Sequence, residues 1–194
     1  MIAGIFVGGA SRRMGGEPKG WLVAPATDER PPEHIVERLL ALARAQSAEV
    51  YLVGRAEAYA RLGLPVIDDV PGVAGPLSGL VALLERGAAS RQQVIALACD
   101  MPYLRGSMLA KLCSFAPEAP AVAARDGSVW SPLFARYDAP RMASVARACL
   151  EAGERSLRSV LDAARAAPLP LTPDEQAALR DWDAPEDIER GREG

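Results

Sequence analysis

The stretch that decides the fold is IAGIFV at residues 2–7, followed directly by GGASRRMGGEPKG at residues 8–20. The first segment is a short apolar run, which predicts a buried β-strand. The second is rich in glycine and basic residues and has almost no bulky side chain. A loop of this kind at the end of a strand favours a site that holds an anionic group against bare backbone. A solvated, glycine-rich surface turn is the alternative.

Apolar runs and amphipathic stretches alternate along the rest of the chain. Apolar residues at 35, 36, 39, 40 and 42 fall on one face of a helix over residues 33–46, and residues 75–87 predict a second helix, with Pro76 in its first turn and Gly87 at its end. Further strands are predicted at 49–54, 64–68, 92–98, 120–124 and 130–137, and further helices at 57–63, 107–115, 139–166 (in two pieces) and 185–190. Residues 165–176 are interpreted as a connection. This alternation predicts a parallel sheet with helices on both faces.

Length and composition limit the class of protein. A chain of 194 residues with 49% hydrophobic and 24% charged residues suits one globular domain, which we assign to 1–194. The net charge of −3 argues against a nucleic-acid partner. No apolar run reaches the about 20 residues of a membrane span. Three widely spaced cysteines and one histidine fit neither a disulfide framework nor a zinc site, so we expect a reducing, cytoplasmic location.

The loop at 8–20 matches neither of two common phosphate-binding motifs. Lys19 is followed by glycine rather than Ser or Thr, so the P-loop is incomplete, and the spacing G-x-G-x-x-G does not occur. The pattern present is G-G-x-S-x-R-M-G-x-x-K. Backbone N–H groups of Gly8 and Gly9 can approach a phosphate, Arg13 can bind its oxygens with two hydrogen bonds, and Lys19 supplies a mobile charge.

Aspartates follow several of the predicted strands. Asp100 follows VIALAC and suits Mg²⁺, although a turn residue is the simpler interpretation. Asp69 ends the strand VIDD before GPLSGL, where the start of a helix can approach a base or ribose. Asp183 precedes a predicted helix, where it is either an N-cap or a second magnesium ligand.

These segments together resemble the molybdenum cofactor guanylyltransferase family of nucleotidyltransferases. The matching segments are the GGxSxRMGxxK loop, Asp69 with GPLSG at 75–79, the C-D-x-P-x-L element at 99–104, SPLFARY at 131–137, and DWDAPED at 181–187. Their order and spacing run through nearly the whole chain.

The resemblance implies a three-layer α/β/α, Rossmann-like nucleotidyltransferase fold with a mostly parallel sheet. It also implies transfer of GMP from GTP to the terminal phosphate of molybdopterin, with release of pyrophosphate and with Mg²⁺ as cofactor. It assigns catalysis to Arg13, Lys19 and Asp100, metal binding to Asp100 and Asp183, and nucleotide binding to Phe6, Val7, Gly8, Gly9, Ser11, Lys19, Leu52, Asp69, Gly75, Pro76 and Asp100. Candidate protein partners are molybdoenzymes or cofactor-insertion proteins.

Several residues depart from the family pattern. Leu52 stands where the family has an asparagine that contacts the nucleotide, and the chain contains no asparagine at all. Two alternatives therefore stay open. One is a related enzyme that uses CTP or acts on another phosphorylated acceptor such as a sugar phosphate. The other is a nucleotide-binding scaffold in cofactor delivery that has lost catalysis.

Overall fold

The first strand of the chain is an interior strand of the main sheet. The computed structural model describes residues 1–8, 18–26, 30–47 and 49–182. The helices and strands are β1 (Ile2–Phe6), β2 (Val23–Ala24), β3 (Glu33–His34), α1 (Ile35–Gln46), β4 (Glu49–Val53), β5 (Val66–Ile67), α2 (Pro76–Ala89), β6 (Gln93–Ala98), α3 (Gly106–Ser114), β7 (Ala121–Asp126), β8 (Val129–Asp138), α4 (Ala139–Glu151), α5 (Leu157–Ala163), β9 (Ala167–Leu169) and α6 (Pro173–Ala177). Short 3-10 helices cover Lys19–Trp21 and Glu57–Leu62.

The main sheet has seven strands in the order β5-β4-β1-β6-β8-β7-β9. Strands β5, β4, β1 and β6 are mutually parallel, β8 runs antiparallel to β6 and β7, and β9 is parallel to β7. Within this sheet only β8 is reversed, so the prediction of a mostly parallel sheet is confirmed. Strands β2 and β3 form a separate antiparallel pair.

Helices cover both faces of the sheet and give the predicted three-layer fold. Alternate side chains of β1 point to opposite faces, so that Ile5 packs toward α1 and α3 whereas Phe6 packs toward α2 and α4. Both faces carry a buried apolar cluster. The central strands therefore read as continuous apolar runs, as expected for a sheet buried on both sides.

The structure differs from the sequence prediction at several places. Residues 57–62 form a 3-10 helix, and Glu33–His34, predicted as the start of a helix, form strand β3. The reversed direction of β8 was not predicted, because an apolar run predicts a strand but not its direction. Helix α2 passes through Gly87 and ends at Ala89, since Gly87 packs closely against Val94 and Ala139. The presumed connection at 165–176 contains strand β9 and the start of α6. The helix predicted at 185–190 lies outside the described residues.

Candidate active site

Four parallel strands of the main sheet end at the same level. Phe6 of β1 pairs with Val53 of β4 and with Ala98 of β6, and Val53 in turn pairs with Ile67 of β5. The segments that follow these strands therefore emerge side by side along one edge. Ligands of open α/β sheets bind at this carboxyl edge, so these segments are the candidates for binding and chemistry.

An ion pair joins two of these segments. The ammonium group of Lys19, at the end of the glycine-rich loop, lies 3.0 Å from the Asp100 carboxylate after β6. The Lys19 and Asp100 side chains are 16% and 19% exposed, so solvent reaches the pair but does not surround it. The fold thus brings together a cation and an anion that are 81 residues apart in the sequence.

Backbone hydrogen bonds hold the Asp100 segment from two sides. The N–H of Cys99 donates to the carbonyl of Phe6 over 3.2 Å, and the N–H of Trp182 donates to the carbonyl of Asp100 over 3.1 Å. The last described residue of the chain is therefore fixed against the Asp100 backbone. Desolvation and the neighbouring Asp100 carboxylate raise the pKa of the Cys99 thiol to about 12, which keeps this thiol neutral near pH 7.

The Asp100 segment is also hydrogen-bonded to a buried arginine that sequence reasoning missed. Arg38 of α1 is fully buried, and its guanidinium group donates to the carbonyl of Pro102 over 2.6 Å. It also donates to the carbonyls of Pro25 and Pro31 and to the Glu33 carboxylate. Burial lowers the pKa of Arg38, and the hydrogen bond to Glu33 and the charge of its carboxylate offset this only in part. The available signal was the position of Arg38 on the apolar face of α1.

The segment between β5 and α2 forms the second part of the site. The Asp69 carboxylate accepts a hydrogen bond of 3.3 Å from the N–H of Gly75, and the Ser78 hydroxyl accepts one of 2.7 Å from the N–H of Val70. Gly75 has a φ of +123°, a conformation that strains any residue with a Cβ. Pro76, the first residue of α2, is exposed.

Helix α2 approaches the carboxyl edge very closely at Gly79. A Cβ placed on Gly79 would lie 2.8 Å from Cγ1 of Val53 and 3.3 Å from both an Asp69 carboxylate oxygen and the Phe6 ring. A side chain here would therefore have to displace the strand end or the carboxylate. Phe6, which is 7% exposed, is part of this packing.

The start of the glycine-rich loop touches the turn after β4. The N–H of Val7 donates to the carbonyl of Val53 over 3.1 Å, and Gly8 is exposed. A Cβ placed on Gly54, whose φ is +90°, would lie 3.2 Å from Cα of Gly8. The close approach of these two backbones leaves the exposed Arg55 beside the loop.

Leu52 occupies a different environment from the other predicted nucleotide-binding residues. Its side chain is 1% exposed and packs in the core on the α1 face, and its N–H donates to the carbonyl of Pro65. A nucleotide contact through this side chain would require the sheet to open, so Leu52 is not brought to the site with Lys19 and Asp100.

Four of the predicted site residues lie outside the described part of the chain. They are Gly9, Ser11 and Arg13 in the glycine-rich loop and Asp183 after Trp182. Among the residues that the structure does describe, no group of three or more His, Cys, Asp or Glu side chains is arranged to hold a metal ion. No described helix has the length and apolar character needed to cross a membrane.

Three comparisons relate this chain to known proteins. The model of the family described as MobA-like NTP transferase domain matches residues 3–168. The molybdenum cofactor guanylyltransferase of Pasteurella multocida is 34% identical over 158 residues, which are 79% of each chain. The enzyme of the same name from Serratia proteamaculans is 30% identical over 96% of this chain and 91% of its own length.

A solved structure supports the same fold. The crystal structure of molybdopterin-guanine dinucleotide biosynthesis protein A from Archaeoglobus fulgidus superposes with a TM-score of 0.75 at 20% identity and covers 100% of this chain and 97% of its own. At this identity the likeness concerns the fold. The three-layer arrangement around the parallel strands is common to both proteins.

Proposed function

We propose that this chain, which belongs to the MobA-like NTP transferase domain family, transfers GMP from GTP to the terminal phosphate of molybdopterin and releases pyrophosphate. The observation that carries the proposal is the Lys19–Asp100 ion pair at the carboxyl edge of the parallel strands. Relatives at 30% and 34% identity that are named molybdenum cofactor guanylyltransferase support the choice of substrates. The product would be a guanine dinucleotide form of the cofactor.

Such a transfer needs no nucleophile from the protein, because the acceptor phosphate itself attacks the α-phosphate of GTP. The main obstacle is the repulsion between two anions. We propose that Lys19 and Arg13 reduce this repulsion and stabilise the charge on the departing pyrophosphate. Holding both substrates for in-line attack supplies the remaining acceleration.

We propose Mg²⁺ as the cofactor, held by Asp100 and Asp183. The donor chemistry of the described residues fits: Mg²⁺ prefers carboxylate oxygen and is commonly bound by one or two carboxylates together with substrate phosphates, so a larger protein cluster is not required. Asp183 directly follows Trp182, whose N–H donates to the carbonyl of Asp100. When bound, the ion would neutralise phosphate charge at the reacting centre.

The Lys19–Asp100 ion pair would also have a role in the protein before nucleotide binds. While no nucleotide is bound, each charge compensates the other, so neither is left exposed without a partner at the edge of the sheet. Entry of a triphosphate offers Lys19 phosphate oxygens in place of the carboxylate, and Asp100 becomes available to the cation. Each residue would thereby exchange one oppositely charged partner for another.

The remaining assigned residues would position the nucleotide. Gly8, Gly9 and Ser11 would present backbone and hydroxyl groups to the phosphates, and Phe6 and Val7 would fix the start of that loop. Asp69, Gly75 and Pro76 would contact the nucleoside at the start of α2. The buried side chain of Leu52 gives no support for a direct contact.

The proposal is tested with the purified protein, Mg²⁺, molybdopterin and each common nucleoside triphosphate. We expect pyrophosphate release with GTP that depends on both Mg²⁺ and the acceptor. Release with CTP instead of GTP would identify the cytidylyl alternative. This alternative is motivated by Leu52, which stands where the family has an asparagine. Nucleotide binding without release, measured by calorimetry with the acceptor present, would overturn the catalytic proposal and favour a scaffold.

Three further statements stay predictions of the sequence. They are a single domain over 1–194, a cytoplasmic location, and contact with molybdoenzymes or cofactor-insertion proteins. The three cysteines are free thiols, which is compatible with a reducing compartment. Copurification of the tagged protein with a molybdoenzyme would support the third, and an exclusively secreted protein would contradict the second.

A further inference from the structure

We infer that the hydroxyl of Tyr59 is a positioning group that sets the relative placement of Lys19 and Asp100; this inference rests on the function proposed above. Tyr59 lies in the 3-10 helix Glu57–Leu62 that follows β4, and nothing in the sequence motifs points to it. Its effect on the ion pair would act through the residues next to Lys19 and Asp100.

The hydroxyl of Tyr59 holds the turn that carries Lys19. It accepts a hydrogen bond of 3.1 Å from the N–H of Gly20, the residue after Lys19. Cys99, the residue before Asp100, packs against the buried cluster to which Tyr59 belongs. Tyr59 is therefore hydrogen-bonded to the neighbour of one charged residue and shares a buried cluster with the neighbour of the other.

The phenol ring is held rigidly enough for this connection to be specific. Tyr59 is 2% exposed, and its ring stacks on Trp21 with centroids 5.4 Å apart and an interplanar angle of 27°. The indole N–H of Trp21 donates to the carbonyl of Ala58 over 2.8 Å. The turn Lys19–Trp21 and the segment around Tyr59 are thus joined by both ring packing and hydrogen bonds.

The Tyr59 ring packs closely against Gly20, which has no side chain. A Cβ placed on Gly20 would lie 2.8 Å from Cε1 and 3.0 Å from the hydroxyl oxygen of Tyr59, and 3.1 Å from Cβ of Val36. The Tyr59 ring occupies the space that a side chain at position 20 would need. The backbone that carries Lys19 consequently has little freedom to shift while the hydroxyl is in place.

The hydroxyl can be removed without removing the ring. In Tyr59→Phe the stacking on Trp21 is retained, but the buried N–H of Gly20 loses its acceptor. A buried donor without an acceptor favours rearrangement of its segment. The expected rearrangement moves Lys19 relative to Asp100, whereas a purely structural role would lower only the stability.

The matched control is Tyr137→Phe. Tyr137 is also fully buried, and its hydroxyl donates to the carbonyl of Pro132 over 3.0 Å. It pairs with Val94 near the start of β6, the end opposite to Asp100. Both variants remove one buried tyrosine hydroxyl, so a similar loss of melting temperature is expected for each.

The test measures the Mg²⁺ concentration for half-maximal transfer, kcat, and GTP affinity for the wild type and both variants. A displaced Lys19 should lose part of the about 10²-fold expected from its preorganised charge, so Tyr59→Phe should raise the Mg²⁺ requirement or lower kcat by about 10-fold. GTP affinity should change much less. Tyr137→Phe should leave all three values near those of the wild type.

A structural measurement separates this inference from the proposed function. In a crystal structure of Tyr59→Phe, the distance from Nζ of Lys19 to the Asp100 carboxylate should exceed that of the wild type, whether or not the enzyme turns over. An unchanged ion pair, or a Tyr59→Phe enzyme that behaves like Tyr137→Phe, overturns the positioning role. Lack of GMP transfer by the wild type would instead refute the proposed function.

Discussion

Two regions of the carboxyl edge lie on opposite faces of the sheet and differ in the groups that form them. The ionic side, formed by Lys19, Arg38, Tyr59 and Asp100, lies with α1, and its charged groups are paired with each other or with backbone carbonyls. The glycine side, formed by Phe6, Asp69, Gly75, Ser78 and Gly79, lies at the start of α2. One region holds charged groups in fixed positions, and the other brings α2 into close contact with the strand ends because Gly79 has no side chain.

Because of this difference, we expect the two regions to affect different kinetic parameters. Preorganised charge lowers the barrier when it stabilises the transition state more than the bound substrate. A surface shaped by close backbone contact binds the ground state and transition state about equally, and so affects affinity more than turnover. We therefore expect changes on the ionic side to lower kcat and changes on the glycine side to weaken nucleotide binding.

The largest effect is expected from Asp100→Ala on the ionic side. Loss of a proposed metal ligand removes several kcal/mol of charge stabilisation, so Mg²⁺-dependent transfer should fall by about 10³-fold or more. Initial rates across an Mg²⁺ titration measure this loss. Asp126→Ala, which changes an exposed aspartate at the end of β7, is the control. An Mg²⁺ titration of Asp100→Ala that matches the wild type would exclude the metal role.

The next effect in size is expected from Lys19→Ala. Removal of one preorganised charge at the reacting phosphates should lower kcat by about 10²-fold. The only other lysine of the chain, Lys111, also pairs with a carboxylate, 2.8 Å from Glu175, but on α3 and α6 rather than at the edge. Lys111→Ala should therefore keep its turnover. Equal rates for the two alanine variants would contradict a special role for Lys19.

Much of the fold could be predicted from the sequence because local pattern and final structure agree there. The apolar run of β1 and the periodicity of α1 each specify one element without information from elsewhere in the chain. The reversal of β8 had a local signal that was not used: only Gly127 and Ser128 connect β7 and β8, and Gly127 has a φ of +54°. The capping box of α6, from Thr172 to Glu175, was likewise available.

The site was predicted less completely than the fold. Lys19 and Asp100 could each be picked out from their motifs, but the contact between them depends on the register that aligns the ends of β1 and β6. The role of Tyr59 was out of reach of sequence reasoning, and for Arg38 the only signal was a charged residue on the apolar face of α1, since both act on backbone groups of distant segments. Backbone N–H and carbonyl groups do not depend on the type of side chain, so no sequence motif identifies these partners.

On the glycine side, Gly79→Ala should weaken binding rather than slow the chemistry. The added Cβ presses on Val53, on an Asp69 carboxylate oxygen and on the Phe6 ring. A displaced strand end and carboxylate should raise the Kd for GTP by about 10-fold, with kcat at saturating GTP within about twofold of the wild type. Calorimetry and steady-state kinetics measure the two quantities.

Gly87→Ala is the matched control for this variant. Gly87 lies in the same helix and is equally crowded, because its Cβ would fall 2.5 Å from Val94 and 2.7 Å from Ala139. Both variants should lose thermal stability, but only Gly79→Ala should lose affinity for GTP. If kcat fell in Gly79→Ala while Kd stayed constant, the proposed division between the two regions would be wrong.

The smallest effect is expected from Ser78→Ala, which tests how the glycine side holds Asp69. The Ser78 hydroxyl is 1% exposed and accepts from the N–H of Val70, directly after Asp69. Its loss should cost about 1 kcal/mol of unfolding free energy and raise the KM for GTP by only about two- to threefold, because the Gly75 N–H still binds the carboxylate. Ser90→Ala, at the exposed end of α2, should change neither. Since one hydrogen bond remains to Asp69, a loss of GTP binding as large as that of Gly79→Ala would mean that hydrogen bonding rather than close packing forms the nucleotide surface.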